Sequence, residues 1–335
     1  MYLLISTIPL LLSFILTFFL TRRWIVVAKR FRLVGRDMNK FKKVLIPEAG
    51  GISVSISISI CLLFYVFLKT FVFSTESHLV EILSLLITFL LASLLGFIDD
   101  ILGWKRGLRQ WQKPLLTIPI SLPLVVINAG HSTVNIPFIG TINLGLFYPL
   151  LLVPVGIVGA TNGFNMLAGF NGLEAGLALV IFSSYSLISF ISNRLWLSYI
   201  CLIIVASLFS FLIFNWFPAK VFPGNTFTYS IGSLIACIAI LGDFEKFGLL
   251  LFLPFFIEFI LKARGNFRKE SFGKPLKNGS ITLRYNKIYG LEHFSVWFLR
   301  KIKGNAFERE VVIFLIFLEL LFASLAFVNY FLQLF

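Results

Sequence analysis

Charge is scarce in this sequence. Asp, Glu, Lys and Arg make up 13% of its 335 residues, half the roughly 25% of an ordinary globular chain. Cysteine, histidine and methionine are rarer still, with three residues each. Cys61, Cys201 and Cys237 fall inside apolar stretches and share no metal-ligand spacing; a thiol so placed behaves as a small hydrophobe. That excludes a disulfide scaffold and a Cys/His metal framework. His78, His131 and His293 are scattered and define no group of their own. Acidic residues number only 15 against 29 Lys and Arg.

What fills the space is apolar. Hydrophobic residues are 58% of the chain, 40 of them phenylalanine, and the mean hydropathy is +0.94. Between Glu81 and Asp99 the run "ILSLLITFLLASLLGFI" carries no charge. A membrane-crossing helix needs about 20 mostly apolar residues. Ten stretches qualify: 2–20, 50–72, 79–98, 114–130, 143–161, 173–191, 196–214, 226–242, 246–262 and 311–333. The expectation is an all-α, multi-pass integral membrane protein forming a single domain over 1–335. The first stretch lacks a basic leader and a small-residue cleavage site, and Arg22 and Arg23 follow it. It reads as an uncleaved span.

The basic residues orient these spans. With ten crossings both termini face one side, and the loops form two sets. Loops 21–49, 99–113, 162–172, 215–225 and 263–310, with Lys262 at the edge, hold 26 of the 29 Lys and Arg. The positive-inside rule makes that set cytosolic and puts both termini outside or in the lumen. The net charge of +14 then lies beside the bilayer. Topology and attraction to anionic lipid account for it, and so does a field that gathers anionic substrate. No nucleic-acid partner is expected.

The unusual polar residues share that face. "GRDMNKFKKVLIPEAGG" (35–51) brings Pro47 and Glu48 to the mouth of the second span. The second loop opens on Asp99 and Asp100, continues through Trp104, Lys105 and Arg106, and ends at Lys113. Two adjacent acids are either solvated punctuation or part of a site. On a helix they point about 100° apart, so one cation meets both only at a distorted end or a shared site. "TNGFNMLAGFNGLEAG" (161–176) holds four glycines, three asparagines and Glu174. Turn chemistry is one reading. Its apolar middle, however, suits membrane depth, where irregular backbone must line a protein-bound or watery cavity. Asn oxygens are hard donors suited to Mg²⁺, and glycine admits close backbone approach. In "NWFPAKVFPGNTF" (215–227), Pro223 and Gly224 place Asn225 and Thr226 at a helix N-terminus. Such an end favours an anion or an oxygen-rich site, or carries an ordinary cap. Lys113, where the apolar run resumes, is either snorkelling or aimed at a phosphate.

In order and spacing, "IPEAGG", "GFIDD", "NGFNMLAGFNGLEAG" and "NWFPAKVFPGNTF" resemble the polyprenyl-phosphate N-acetylhexosamine-1-phosphate transferase superfamily. The resemblance is strongest to its dolichyl-phosphate branch, eukaryotic and archaeal. "LAGFNGLEAG" favours that branch, because bacterial members carry acids at the positions of Ala168 and Asn171. "GNAFERE" (304–310) is similar to a Gly…Glu-Arg element there. The resemblance implies a ten-helix enzyme in which a polyprenyl phosphate, dolichyl phosphate in that branch, attacks the β-phosphorus of UDP-N-acetylglucosamine. The products would be lipid-diphosphate-N-acetylglucosamine and UMP, the first committed step of lipid-linked glycan assembly for N-glycosylation. Mg²⁺ is the implied cofactor, with Mn²⁺ as a substitute, and a homodimer is implied. The membrane would be the endoplasmic reticulum in a eukaryote and the cell membrane in an archaeon or bacterium.

Carried over by position, the resemblance makes Asn165 a metal ligand. Asp100 organises the metal or orients Lys113, and Asp99 positions the nucleophile or takes its proton; the two roles are exchangeable. The second pKa of a lipid phosphate is about 6, so no strong base is obligatory. Lys113 pairs with a substrate phosphate. Asn171 and Gly172 match the region that reads uracil, with Phe222 as a stacking surface, and Asn162 and Glu174 flank them in the same substrate-binding segment. Asp37 and Glu48 match a nucleotide-side element. In the long loop 263–310, Arg264, Arg268 and Lys269 correspond to residues that clamp the diphosphate and recognise the sugar. Asn225 departs from the pattern, because the family usually has a metal-ligating Asp there. An amide oxygen coordinates Mg²⁺ without contributing charge. A natural variant, an altered metal preference and an engineered inactivation all fit that change.

Three other readings are weaker. A catalytically silent family member follows from Asn225, and a bacterial-style enzyme would use undecaprenyl phosphate with another UDP-N-acetylhexosamine. A transporter would place polar groups near the midplane with repeat symmetry, and neither feature is present in this sequence.

Overall fold

The computed structural model describes residues 2–103, 107–136 and 140–332; Trp104, Lys105 and Arg106 of the second loop lie outside them, as do 333–335. In chain order the helices are α1 (Tyr2–Arg30), α2 (Gly51–Phe67), α3 (Leu79–Leu102), α4 (Gln112–Thr117), α5 (Leu122–Val126), α6 (Val153–Phe164) and α7 (Leu173–Ile191). They continue with α8 (Leu195–Asn215), α9 (Gly224–Leu241), α10 (Glu245–Leu251), α11 (Leu253–Arg264), α12 (Leu291–Lys303) and α13 (Glu308–Leu332). Seven of these, α1, α2 with its π-helical extension, α3, α7, α8, α9 and α13, are long and apolar enough to cross a membrane.

The other three expected spans are segmented. Stretch 114–130 is α4, a 3-10 turn (Ile118–Ser121) and α5; 143–161 includes a π turn (Tyr148–Leu152) and most of α6; 246–262 is α10 followed by α11. Proline explains all three. It lacks the N–H for the i−4 bond and clashes with the preceding turn, yet suits the first turn of a new helix. Pro119, Pro123, Pro149, Pro154 and Pro254 each stand in the first turn of such a restart. Two boundaries also differ from expectation. α1 runs through Arg22 and Arg23 to Arg30, and α3 contains Asp99 and Asp100 in its last turns. Three antiparallel hairpins join the helices: β1 (Val34–Arg36) with β2 (Leu45–Pro47), β3 (Thr133–Ile136) with β4 (Gly140–Asn143), and β5 (Lys274–Pro275) with β6 (Ile281–Thr282).

α9 is the hub, packed against α3, α6 and α2. Its sequence explains this: Ser230, Gly232, Ser233, Ala236 and Ala239 are small, and in lipid small residues are what let helices approach closely. The approach is closest at its start. A Cβ at Gly96 of α3 would overlap the backbone of Asn225 and Thr226, and one at Gly51 of α2 would overlap that of Phe227. α1 is held differently, by hydroxyl pairs. Thr21 meets Ser53 of α2 at 2.8 Å, Thr17 meets Ser207 of α8 at 2.7 Å, and Ser13 donates to the Ile203 carbonyl at 2.9 Å.

Candidate active site

The glycine-permitted contact brings the last turns of α3 onto the first turn of α9. There the two adjacent acids part company. Asp100 caps α9 from outside its own helix. Its Oδ1 accepts from the Asn225 N–H at 2.7 Å, and its Oδ2 from the Thr226 N–H at 2.9 Å and the Thr226 hydroxyl at 2.6 Å. This satisfies two N–H groups that a helix start leaves orphaned and sets a carboxylate at the positive end of the dipole. Asp99 turns the other way. Its Oδ1 accepts from the Leu108 N–H at 2.7 Å, while its Oδ2 accepts from Asn225 Nδ2 at 2.9 Å and pairs with Lys113 Nζ at 2.8 Å. The Tyr229 hydroxyl lies 3.5 Å from the same oxygen. Lys113 is therefore oriented by Asp99 rather than by Asp100, and 22% of its side chain stays exposed.

Two more loops complete this group. Asn165, at the end of α6, accepts from the Thr228 hydroxyl at 2.7 Å. The first and fourth loops are joined by backbone hydrogen bonds: Phe222 N–H to Pro47 O at 2.7 Å, Gly50 N–H to Phe222 O and Gly51 N–H to Pro223 O, both at 2.8 Å. Glu48 is thereby held near Asp100, and burial first and the Asp100 charge second push its pKa up to about 7.

A second polar group lies where the first, third and fifth loops meet. Asp37 accepts from the Asn39 N–H at 3.1 Å and from Asn171 Nδ2 at 3.2 Å. Asn39 donates to the Gly169 carbonyl at 2.9 Å and accepts from the Gly273 N–H at 3.1 Å. Lys40 pairs with Glu308 under the Phe217 ring, and Glu308 also accepts from the Asn171 N–H at 3.0 Å. Glu174 accepts from the Gly169 N–H at 2.9 Å, leaving its Oε2 buried without a partner. Asp37, Asn171 and Glu174 are thus gathered with one another, and no hydrogen bond among the described residues links them to Asp99 or Asp100.

The remaining expected site residues are dispersed. Asn162 donates to Thr117 and to its own helix, both at 2.9 Å, tying α6 to α4. Gly172, at φ +86°, starts α7. Arg264 and Arg268 are exposed, and Lys269 lies over the Tyr285 ring at 5.0 Å. Behind them a third group is deeply buried: Glu258 pairs with Lys262 at 3.2 Å and accepts from the Leu291 N–H at 2.6 Å. Next to it Glu292 has both oxygens unpartnered, and burial together with the Glu258 charge raises its pKa well above the carboxylate range. Burial also lowers His293 to about 4. Lys40, Asn39, Thr228 and Tyr229 were not singled out from sequence. Thr228 and Tyr229 carried a signal, since polar side chains inside a span usually face the bundle interior.

The donor set suits a hard divalent cation. Asp99 and Asp100 offer carboxylate oxygens, and Asn165 and Asn225 offer amide oxygens, Asn225 having only its nitrogen engaged with Asp99. Mg²⁺ typically takes one or two carboxylates and completes its shell with substrate phosphates and water.

An α-helical bundle with membrane-length apolar helices marks an integral membrane protein, and carboxylates, amides and a lysine gather where two of its helix ends meet. Residues 82–243 match the family described as glycosyl transferase family 4. A Saccharolobus solfataricus protein, provisionally named UDP-N-acetylglucosamine–dolichyl-phosphate N-acetylglucosaminephosphotransferase, is 37% identical over 95% of each chain. A Dictyostelium discoideum protein of that name is 33% identical over 68% of this chain and 64% of its own. A Geobacillus phospho-N-acetylmuramoyl-pentapeptide-transferase is 35% identical over 72% of this chain and 76% of its own. This chain belongs to glycosyl transferase family 4.

Proposed function

We propose that the chain transfers N-acetylglucosamine-1-phosphate from UDP-N-acetylglucosamine to a polyprenyl phosphate of the dolichyl type, releasing UMP. The observation that carries this reading is the Lys113–Asp99–Asn225 chain beside the capped start of α9. It combines a reachable cation, acids and amide oxygens at the depth where an apolar helix ends. The names of the relatives support the same substrates. The concentration of Lys and Arg in one set of loops supports ten crossings, both termini outside, and a cytosolic site.

Phosphoryl transfer is chiefly a matter of positioning and charge neutralisation. An oxygen of the lipid phosphate forms the new bond to the β-phosphorus, and the bond to the bridging oxygen breaks as UMP leaves. Lys113 orients the lipid phosphate, and Asp99 holds Lys113 and takes any remaining proton. Asp100 keeps the start of α9, and with it Asn225, in place. Asn165, Asn225 and the carboxylates would hold Mg²⁺. When bound it neutralises the diphosphate and the departing UMP.

One observation favours a second reading. Asn225 donates to Asp99, a contact an Asp could not make without a proton or cation between the two acids, so the group holds together through its own hydrogen bonds as a silent member's would. UMP release from UDP-N-acetylglucosamine and a polyprenyl phosphate, with and without Mg²⁺, decides. Metal-dependent turnover in the unmodified chain is expected. Turnover only in Asn225→Asp would make this a silenced form, and none in either chain would sink the transferase reading.

A further inference from the structure

A cavity of about 540 Å³ lies at the cationic end of α1, and none of Asp99, Asp100, Lys113, Asn165 and Asn225 lines it. Its walls come from α1, β2, the end of α8 and the fourth loop. Phe18, Leu45 and Phe214 supply apolar surface, Arg22, Lys29 and Lys220 supply charge, and no acid lines it. Arg22 and Lys29 are two helical turns apart on one face of α1, about 10 Å. All three cations are exposed and, among the described residues, none makes an ion pair.

Cations at the end of a span are ordinary, because long basic side chains snorkel to the interface. A snorkelling side chain needs no concavity. Here three converge on one, and its rim is apolar: Val26 is 65% exposed and Leu45 54%. From that rim the outer face of α1 runs into the bilayer as Phe19, Ile15 and Leu11, all exposed. A positively charged cup opening onto an acyl-chain track fits one chemical class, an amphiphile with an anionic head.

We propose that this cavity binds the headgroup of an anionic membrane phospholipid, held by Arg22, Lys29 and Lys220, with its chains along α1. The site is independent of the transferase reading. It does bear on that site's scaffold, since the lining residue Pro47 accepts from Phe222, three residues before Asn225.

The test is native mass spectrometry of the full chain in detergent, titrated separately with phosphatidylglycerol, phosphatidylcholine, a polyprenyl phosphate and inorganic phosphate. One phosphatidylglycerol should be retained in preference to phosphatidylcholine. Each of Arg22→Gln, Lys29→Gln and Lys220→Gln should weaken it about fivefold, and the three together about a hundredfold. An unchanged melting temperature reports that the triple variant is folded; if it is not, the single variants carry the test. Equal retention of both phospholipids, or full retention by the variants, overturns the proposal. Displacement of phosphatidylglycerol by polyprenyl phosphate at equal concentration would give the site to the acceptor lipid, and displacement by inorganic phosphate to free anions. Loss of a dimer with unchanged lipid retention would assign the face to a second copy. Each of these three results overturns it as well.

Discussion

α9 and α1 are both long enough to cross a membrane, and α1 is the more hydrophobic, at mean hydropathy 1.8 against 1.4. Yet 83% of the most apolar stretch of α9 is buried, against 17% for α1. Hydrophobicity does not send a helix to the centre of a membrane protein, because lipid tails are as apolar as any neighbour. Close approach does. α9 offers small side chains, and Gly96 and Gly51 face it, so its first turn lies in backbone contact with α3 and α2. α1 offers Leu, Ile and Phe to lipid on its outer face, and on its inner face packs Leu12, Leu16 and Phe18 against its neighbours beside a few hydroxyl pairs. The acids stand at α9 for the same reason: only a helix start held that closely by its neighbours can be capped from another helix.

The comparison breaks most severely at Gly96. Gly96→Leu drives a side chain into the backbone of Asn225 and Thr226, and should destabilise the protein by about 3 kcal/mol. Leu11→Phe, on the lipid face of α1, should change stability by no more than about 0.5 kcal/mol. Thermal melting in detergent reads both, and equal shifts would contradict the contrast.

Next come the two acids, whose partners separate structure from chemistry. Asp99→Asn and Asp100→Ala should each lower UMP release at least about a hundredfold, the scale of losing one pre-organised charge partner. Only Asp100→Ala removes the cap of α9, so only it should also lower stability, by about 1 kcal/mol. If Asp99→Asn melts as early as Asp100→Ala, the division of labour between them is wrong.

Glu48 sharpens the contrast through pH. Burial and the Asp100 charge raise its folded pKa to about 7, above the ordinary carboxylate value of 4.5, so between those values the folded state binds the extra proton. The stability it contributes is full below about 4.5 and is lost as pH rises through about 7. Melting in EDTA should therefore fall across that window, and Glu48→Gln should flatten the profile. An unchanged slope in the variant would place the titration elsewhere. The smallest effect belongs to α1: Thr17→Val breaks one interhelical hydroxyl pair and should shift stability by about 0.6 kcal/mol, measurable in the same melts.

Much of this was legible before any coordinates. Stretches 173–191 and 196–214 match α7 and α8 almost residue for residue, because an uninterrupted apolar run can satisfy its backbone in lipid only as a helix. The three segmented stretches read as apolar runs of spanning length, and their breaks do not show there because hydropathy averages over the prolines that restart them. Asp99, Asp100, Lys113, Asn165 and Asn225 were read as one site, and the hydrogen bonds join Asp99 to Lys113, both acids to Asn225, and Asn165 to the next turn of α9. Asp37, Asn171 and Glu174 were read as substrate contacts. Asn171 meets Asp37 of the first loop and Glu308 of the fifth across 134 and 137 residues, which no local pattern reports.

Composition and order alone determined that this chain is a helical membrane protein, that its Lys and Arg gather in a few segments flanking the apolar runs, and which motifs those segments carry. Those properties follow from the cost of placing charge or unpaired backbone in hydrocarbon, a cost each segment meets by itself. Only the tertiary structure decided which acid holds Lys113 and which caps α9. Neighbouring side chains on a helix diverge by about 100°, so what each one meets depends on the helix packed against it. The cationic cavity beside α1 belongs to the same class of fact: Arg22 and Lys29 share a helix face by spacing, but Lys220 reaches them only because the fourth loop folds back over that end of the bundle.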